Sequence, residues 1–514
     1  MKSDLIRQQG LFRGLAVALA VTASACASAP EVRELHEKAA SLERVIETSL
    51  DRVETMPGVA VAVYTEEGVY TAAFGYADIE TREPVTEDTA YYIASSTKSV
   101  LSLAMSMLDL EGKIDLDAPL TELSPDAPFP AAVKAVGATP RMMLTHTSGI
   151  ENDAIGWRAA YTGQHDPELN WRLLETTTVN DDAPKGNYDY TNEGYNILTV
   201  LTDRELDTPW QDLLQEMIFD PADMTRTSAR MSDAVKGGWS VARPHATTSA
   251  SGPTRLRLEK KDNTMQSAGG LIMSASDAAL WLELMIEDGR IGRKQVVPAQ
   301  AVINTRADPV ETGQSPREYP RGAYSLGWYH SSYREEDLLF HFGGFTGFRT
   351  HISYMPERKI GVAVLANDVP VGALTADVIA NGVYDVLLDV PTAGEDLNTA
   401  LDQVLSTRAR IIDSIAADVE NRSGREWTLS RPHGDYTGTY VNDLFGTMQV
   451  SARGDEVEVT YGNLQAIGTA ANAKEAIRVE LIPMQGNNIS FISEEDGPVT
   501  ALRFLGDRYE RVGD

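Results

Sequence analysis

The spacing of apolar and polar positions changes several times along the chain, and those changes divide it into elements. From Glu31 to Arg52, Leu35, Leu42, Val45, Ile46 and Leu50 recur at near-helical spacing, which predicts a helix. After Pro57-Gly58, the run Val59, Val61, Val63, Tyr64 predicts a first strand, and Gly68 turns it into a second over Val69 to Gly75. Helical period returns with Val100, Leu101, Leu103, Ala104, Met107 and Leu108 and stops at Glu111-Gly112, so Ser95 stands at the N-terminus of a helix over 95–110.

Residues from about 120 to 245 read as mostly helical and loop-like, broken by Pro, Asp and Asn. Strand character returns near Leu271 and is strong from Phe348 to Asn367, where Met355-Pro356-Glu357-Arg358-Lys359 forms the polar turn of a hairpin. A helix over about 373–388 is placed to cover that sheet. Residues 397–422 read as a polar helix, and Asn421-Arg422-Ser423-Gly424 as a hinge. Beyond Arg431, short runs at 447–450, 456–461, 477–481, 489–492 and 500–504 mostly alternate and are separated by Gly, Asn and Asp, which predicts a small antiparallel barrel.

The length of 514 residues exceeds one ordinary core and suits a large unit plus a smaller one. With 42% hydrophobic and 23% charged residues, the chain is neither a disordered polymer nor a membrane bundle. Lys and Arg number 45 against 75 Asp and Glu, and a formal charge of -30 repels a phosphate backbone, so nucleic acid is not an expected partner.

Lys2, Arg7 and Arg13 precede the apolar run Leu15 to Ala25, the layout of an export signal over 1–26 and too short to span a bilayer permanently. Cys26 follows Ala23-Ser24-Ala25 and resembles the acylated cysteine of a bacterial lipobox, although leucine is usual where Ala23 stands. Cleavage after Ala27 by the ordinary signal peptidase would instead release a soluble protein. Either route places the mature protein outside the cytoplasm, in the periplasm or cell envelope, with the membrane reached only through a lipid on Cys26. A single cysteine allows no intrachain disulfide.

A serine hydroxyl needs a base before it attacks a carbonyl, and Ser95-Ser96-Thr97-Lys98 places a lysine three residues on, on the same helical face. Lys98 can accept the proton only when neutral, a state that burial favours. A Ser-x-x-Lys spacing arises about once by chance in a chain this long. Alone, its default reading is a capping serine and an exposed lysine.

Further elements follow in order, and together they resemble the serine β-lactamase and penicillin-binding protein group, in its class C-related branch of DD-peptidases, D-aminopeptidases and esterases. Ile93-Ala94-Ser95-Ser96-Thr97-Lys98-Ser99 looks like the first motif, Tyr190-Thr191-Asn192 like the second, and His341-Phe342-Gly343-Gly344 like the third. Leu144-Thr145-His146-Thr147-Ser148-Gly149, Ala268-Gly269-Gly270-Leu271 and Tyr324-Ser325-Leu326-Gly327-Trp328 match other segments, and the likeness covers about 50 to 390.

The resemblance implies an α+β fold, with an antiparallel sheet flanked by helices plus a helical subdomain over 31–395, a helical linker over 396–430, and a lipocalin-like barrel over 431–514. It implies a Ser95 acyl-enzyme with Lys98 as first base and Tyr190 as proton shuttle. Asn192 would orient substrate, and His341, Gly343 and Gly344 would line its site, with the N–H groups of Ser95 and Gly344 as oxyanion hole. The absence of a side chain at Gly343 and Gly344 leaves room for the acyl group. The third motif is the departure: Lys-Thr-Gly is usual in β-lactamases, whereas His341 is largely neutral at pH 7 and Phe342 has no hydroxyl. That favours D-amino-acid peptides, small amides or esters over β-lactams. Arg349 is a candidate replacement charge, though a surface arginine is the simpler reading, and His146 reads as structural. Neither a metal nor a cofactor is expected, because histidine spacing suits no metal site and no phosphate loop is present. The alternative is a non-turnover envelope binding or sensor protein that is acylated once or binds peptidoglycan fragments. The barrel reads as a stabilising cap.

Overall fold

The computed structural model describes residues 31–313, 320–454, 456–493 and 497–513. The expected export signal and Cys26 lie outside the described residues. Among those described, no helix is long and apolar enough to cross a membrane.

The first unit is organised around a nine-stranded antiparallel sheet. Its order is Val310–Glu311, Ala323–Tyr324, Tyr329–Tyr333, Glu336–Phe345, Phe348–Met355, Ile360–Ala366, Gly58–Thr65, Gly68–Asp78 and Glu83–Pro84. The N-terminal strand Gly58–Thr65 is thus internal: Val61 faces Val364 on one side and Ala72 on the other. All eight of its residues are buried, and their alternation explains the two layers. Val59, Val61 and Val63 join the core beneath helices Glu31–Val53 and Val371–Leu387, while the small Ala60 and Ala62 join the core on the opposite face. There the helix Ala275–Ile286 lies so close that a Cβ on Gly361 would press on Leu282 and Ile286.

Helix Thr97–Leu110 is buried from Thr97 to Leu108 and runs through the middle of this second layer. Around it pack the shorter helices of the segment between Leu120 and Gly237, among them Glu193–Glu205. The cleft lies where the start of Thr97–Leu110 meets the sheet.

The expected linker is one continuous helix, Ala393–Ser423. Leu397, Leu401 and Val404 anchor its first half to the core under helix Val371–Leu387, and its second half is largely exposed. The expected hinge coincides with its end at Gly424. The second unit is a nearly closed nine-stranded antiparallel barrel with the chain-terminal strands Val499–Phe504 and Asp507–Val512 in its middle. Tyr440, Met448, Val459, Tyr461, Ile477, Leu502 and Tyr509 fill it.

The barrel rests on the helical part of the first unit. Arg158 donates to the carbonyl oxygens of Leu444 at 2.5 Å, Gln164 at 2.6 Å and Asp443 at 3.0 Å. The Gln164 amide both donates to the Thr447 carbonyl at 2.8 Å and accepts from its N–H at 2.7 Å. Trp157 and Tyr161 pack against the barrel's apolar interior.

Candidate active site

Ser95 sits in a single 3₁₀ turn, Ala94–Ser96, ahead of helix Thr97–Leu110. Ala94 has φ 46°, a left-handed conformation that a side-chain-bearing residue adopts only when its surroundings impose it. Those surroundings are visible. The Ile93 N–H donates to the Leu271 carbonyl at 2.9 Å, Ser96 Oγ donates to the His341 carbonyl at 3.1 Å, and Thr350 Oγ1 donates to the Ile93 carbonyl at 3.1 Å. The turn is stitched to two strands, while Ser95 itself keeps partial exposure.

Strand Glu336–Phe345 meets its outer neighbour only as far as Phe340, so the edge from His341 to Phe345 faces the Ser95 turn. The two glycines there serve different purposes. A Cβ on Gly343 would run into the Ile93 carbonyl and the Thr350 hydroxyl, so glycine lets strand and turn touch. Gly344 is exposed, with nothing within 4 Å of an added Cβ, and leaves open space beside Ser95.

Lys98 is completely buried. Its Nζ lies 3.2 Å from Ser95 Oγ, 2.8 Å from Asn192 Oδ1 and 2.8 Å from the Ala268 carbonyl. Burial lowers its pKa to about 7, opposed by the nearby Glu193 carboxylate. Among the described residues no carboxylate pairs with it directly, and so the neutral amine is accessible near physiological pH. The Ala268 segment therefore has a physical task, as a neutral acceptor that fixes Nζ.

Tyr190 is hydrogen-bonded with Ser95, and its ring centroid is 4.9 Å from Lys98 Nζ. Burial pushes its phenol up to about 12, against the Ser95 bond and the Arg321 charge. It is a proton donor near neutrality, not a phenolate. Asn192 immediately precedes the helix Glu193–Glu205 without a side-chain capping bond, and its Oδ1 accepts from Lys98 instead.

His341 is buried, with Nε2 3.1 Å from the Tyr324 hydroxyl and Nδ1 2.9 Å from the Phe342 carbonyl. Burial and the Lys98 charge hold it well below the usual histidine range. It is a neutral member of an aromatic cluster with Tyr190, Tyr324 and Tyr329. His146 belongs to the same cluster, against Tyr190 at 4.4 Å, with Nδ1 accepting the Thr191 N–H at 3.3 Å. Arg349 is committed to Asp377 at 3.2 Å and lies over Phe342.

The charge that does face this end is Arg321, over the Tyr329 ring at 4.9 Å and the Phe342 ring at 5.8 Å. Nothing in the sequence singles it out: it follows a turn-rich loop, outside every motif. A second serine carries catalytic-looking geometry. His351 Nδ1 lies 3.1 Å from Asp377 Oδ1, and its Nε2 lies 2.7 Å from Ser353 Oγ, but Ser353 and His351 are 0% exposed. Among the described residues no group of His, Cys, Asp and Glu could hold a metal ion.

The sequence profile described as Beta-lactamase matches residues 42–382. The chain belongs to this family. It is 24% identical over 459 residues to "Unguisins hydrolase ungD" of Aspergillus violaceofuscus, covering 84% of this chain and 79% of that one. Its fold is similar to the octameric penicillin-binding protein homologue from Pyrococcus abyssi, with TM-score 0.57 and 21% identity over 91% of this chain and 98% of the other. The D-amino acid amidase from Ochrobactrum anthropi SV3, complexed with L-phenylalanine amide, aligns with TM-score 0.57 and 18% identity, over 68% and 99%.

Proposed function

We propose that this β-lactamase-family protein is an exported serine hydrolase that turns over D-amino-acid peptides, small amides or esters through an acyl-enzyme on Ser95. The observation that carries the reading is the buried, unpaired Lys98 amine 3.2 Å from the Ser95 hydroxyl. The names of an unguisins hydrolase and a D-amino acid amidase among its relatives support the substrate class.

Neutral Lys98 takes the hydroxyl proton as Oγ bonds to the substrate carbonyl carbon, and the carbonyl electron pair moves onto oxygen. That oxyanion is held by the N–H groups of Ser95 and Gly344. When it collapses, the bond to the leaving nitrogen or oxygen breaks and the leaving group takes a proton from Tyr190, which Lys98 reprotonates. Water then attacks the ester by the reverse route, giving acid and free Ser95. Asn192 holds Lys98 and meets the acyl amide. His341 acts by fixing the strand and cluster around Tyr190. With a neutral His341 and no hydroxyl on Phe342, the third motif itself lacks the usual carboxylate grip of a β-lactamase, and the charge at this end is Arg321, which lies over the Phe342 ring. β-Lactams are accordingly the poorer substrates.

Rapid-quench intact-mass measurement of the wild type and Ser95→Ala, after mixing with a nitrophenyl ester, a penicillin and a D-alanyl amide, tests this. A transient adduct that requires Ser95 is expected. A permanent adduct identifies a binding or sensor protein instead, and product formed equally by Ser95→Ala overturns the mechanism.

A further inference from the structure

An exposed glycine has no side chain to hold its own peptide, so the N–H of Gly344, the second donor to the oxyanion, is aimed by whatever fixes its neighbours. On one side Gly343 is pressed against the Ile93 carbonyl. On the other stands Phe345, the last residue of its strand and half-buried. Among the described residues the strand meets no outer partner beyond Phe340, so the place of Phe345 depends on its inner pairing with Phe348 and on its ring.

That ring is met by an amino group. Lys260 Nζ lies 3.9 Å from the centroid of Phe345, with the rings of Tyr92 and Tyr161 at 5.2 and 5.7 Å. It donates to the carbonyl oxygens of Ala160 at 2.6 Å and Thr264 at 3.2 Å. Lys260 is buried, and among the described residues no countercharge opposes the burial that lowers its pKa to about 7. Two N–H groups remain for the two carbonyls in either protonation state, and the protonated form adds attraction to the ring face. Tyr92, three residues before Ser95, packs edge-on against the same ring at 5.4 Å. One ring therefore touches both the lysine and the chain that leads into the nucleophile's turn.

The two carbonyls are themselves fixed. Ala160 belongs to the π-helical turn Arg158–Thr162, and Thr264 ends the 3₁₀ turn Asp262–Thr264. The barrel holds both turns through one residue: the Asn463 N–H donates to the Thr162 carbonyl at 2.9 Å, and its amide donates to Asn263 Oδ1 at 2.8 Å. A buried amine without a carboxylate costs stability, and Lys260 lies outside every motif of the reaction. Its position behind the last residue of the catalytic strand gives it a task.

We propose that Lys260 is a positioning residue of the oxyanion hole: gripped by the carbonyls of Ala160 and Thr264, its amino group holds the Phe345 ring and thereby aims the Gly344 N–H. The inference rests on the serine hydrolase reading above. Acylation and deacylation both pass through an oxyanion in that hole, so a misaimed donor slows both steps alike, which lowers kcat and leaves KM nearly unchanged.

The test uses the purified full chain, wild type beside Lys260→Met, Phe345→Leu and Ser95→Ala, at pH 7 and at a temperature where calorimetry shows each variant folded. The readouts are kcat and KM on a nitrophenyl ester and the Kd of phenylboronic acid. Its boron takes Ser95 Oγ and becomes tetrahedral, with an oxygen where the oxyanion forms. Lys260→Met is expected to lower kcat about tenfold, to keep KM within about twofold and to raise the boronate Kd about tenfold. Phe345→Leu, which keeps apolar bulk but removes the ring face, is expected to give the same signature, and it decides the matter if Lys260→Met does not fold. Wild-type kcat and boronate Kd in the folded variants overturn this inference and leave the hydrolase standing, as does a lower kcat with unchanged boronate affinity. Ester turnover and boronate binding that are both independent of Ser95 overturn the hydrolase reading as well.

Discussion

At the scale of single residues, two protonation states set the chemistry. Lys98 must be neutral to act, and its pKa near 7 means that the competent fraction falls about tenfold per pH unit below that point. The acid limb of kcat/KM is therefore expected near pH 7, and Lys98→Arg, which stays charged throughout, is expected to lower kcat/KM by about 10³-fold or more. A pH–rate profile with its acid limb at pH 4–5 would assign the base to a carboxylate instead. Tyr190, held protonated with a pKa near 12, serves the leaving group. Tyr190→Phe should then slow an amide by about 10²-fold but a nitrophenyl ester far less, because nitrophenolate departs without a proton. Equal slowing of both would place Tyr190 in the attack step.

At the scale of elements, the Ser95 turn and the glycine strand must touch. Gly343→Ala forces a Cβ into the Ile93 carbonyl, a clash expected to cost about 1–3 kcal/mol and to lower Tm by several degrees. Gly344→Ala meets nothing and should leave Tm within about 1 °C, while its methyl enters the open space and lowers kcat/KM. Calorimetry beside kinetics on the two variants separates these roles, and a matching Tm loss would refute the distinction. This contrast also marks how far the sequence could be read. The order of the three motifs, the hairpins around 58–75 and 348–366, and the alternating runs past 431 all follow from local periodicity, which is why they were legible. Both glycines looked alike, as room for the acyl group, because only the fold reveals which neighbour each one meets. Arg321 and Tyr329 reach the site from a short-stranded stretch with no period to reveal them, whereas Tyr324 stands in a segment that the resemblance marks. The polar helix expected over 397–422 is part of helix Ala393–Ser423, which no proline or glycine interrupts from 397 to its end.

At the scale of the whole molecule, the barrel is docked through part-buried polar contacts centred on Arg158 and Gln164. Removing the Arg158 guanidinium takes its donors from the carbonyl oxygens of Leu444, Gln164 and Asp443, so Arg158→Ala is expected to destabilise the docked state by about 2–4 kcal/mol. Two resolved thermal transitions and faster proteolysis near 424–437 are the expected readouts, and one unshifted transition would show that apolar packing alone suffices. The order of strands has a different consequence, for assembly in time. Strand Gly58–Thr65 is synthesised early, yet one of its two partners, Ile360–Ala366, emerges roughly 300 residues later, about 15–60 s at ordinary translation rates. During that interval Val59, Val61 and Val63 lie along an open β-edge, the kind of surface that recruits another chain. Yield should thus depend on whatever occupies that edge before the chain is complete, a holdase or the export machinery, more than on the stability of the finished protein.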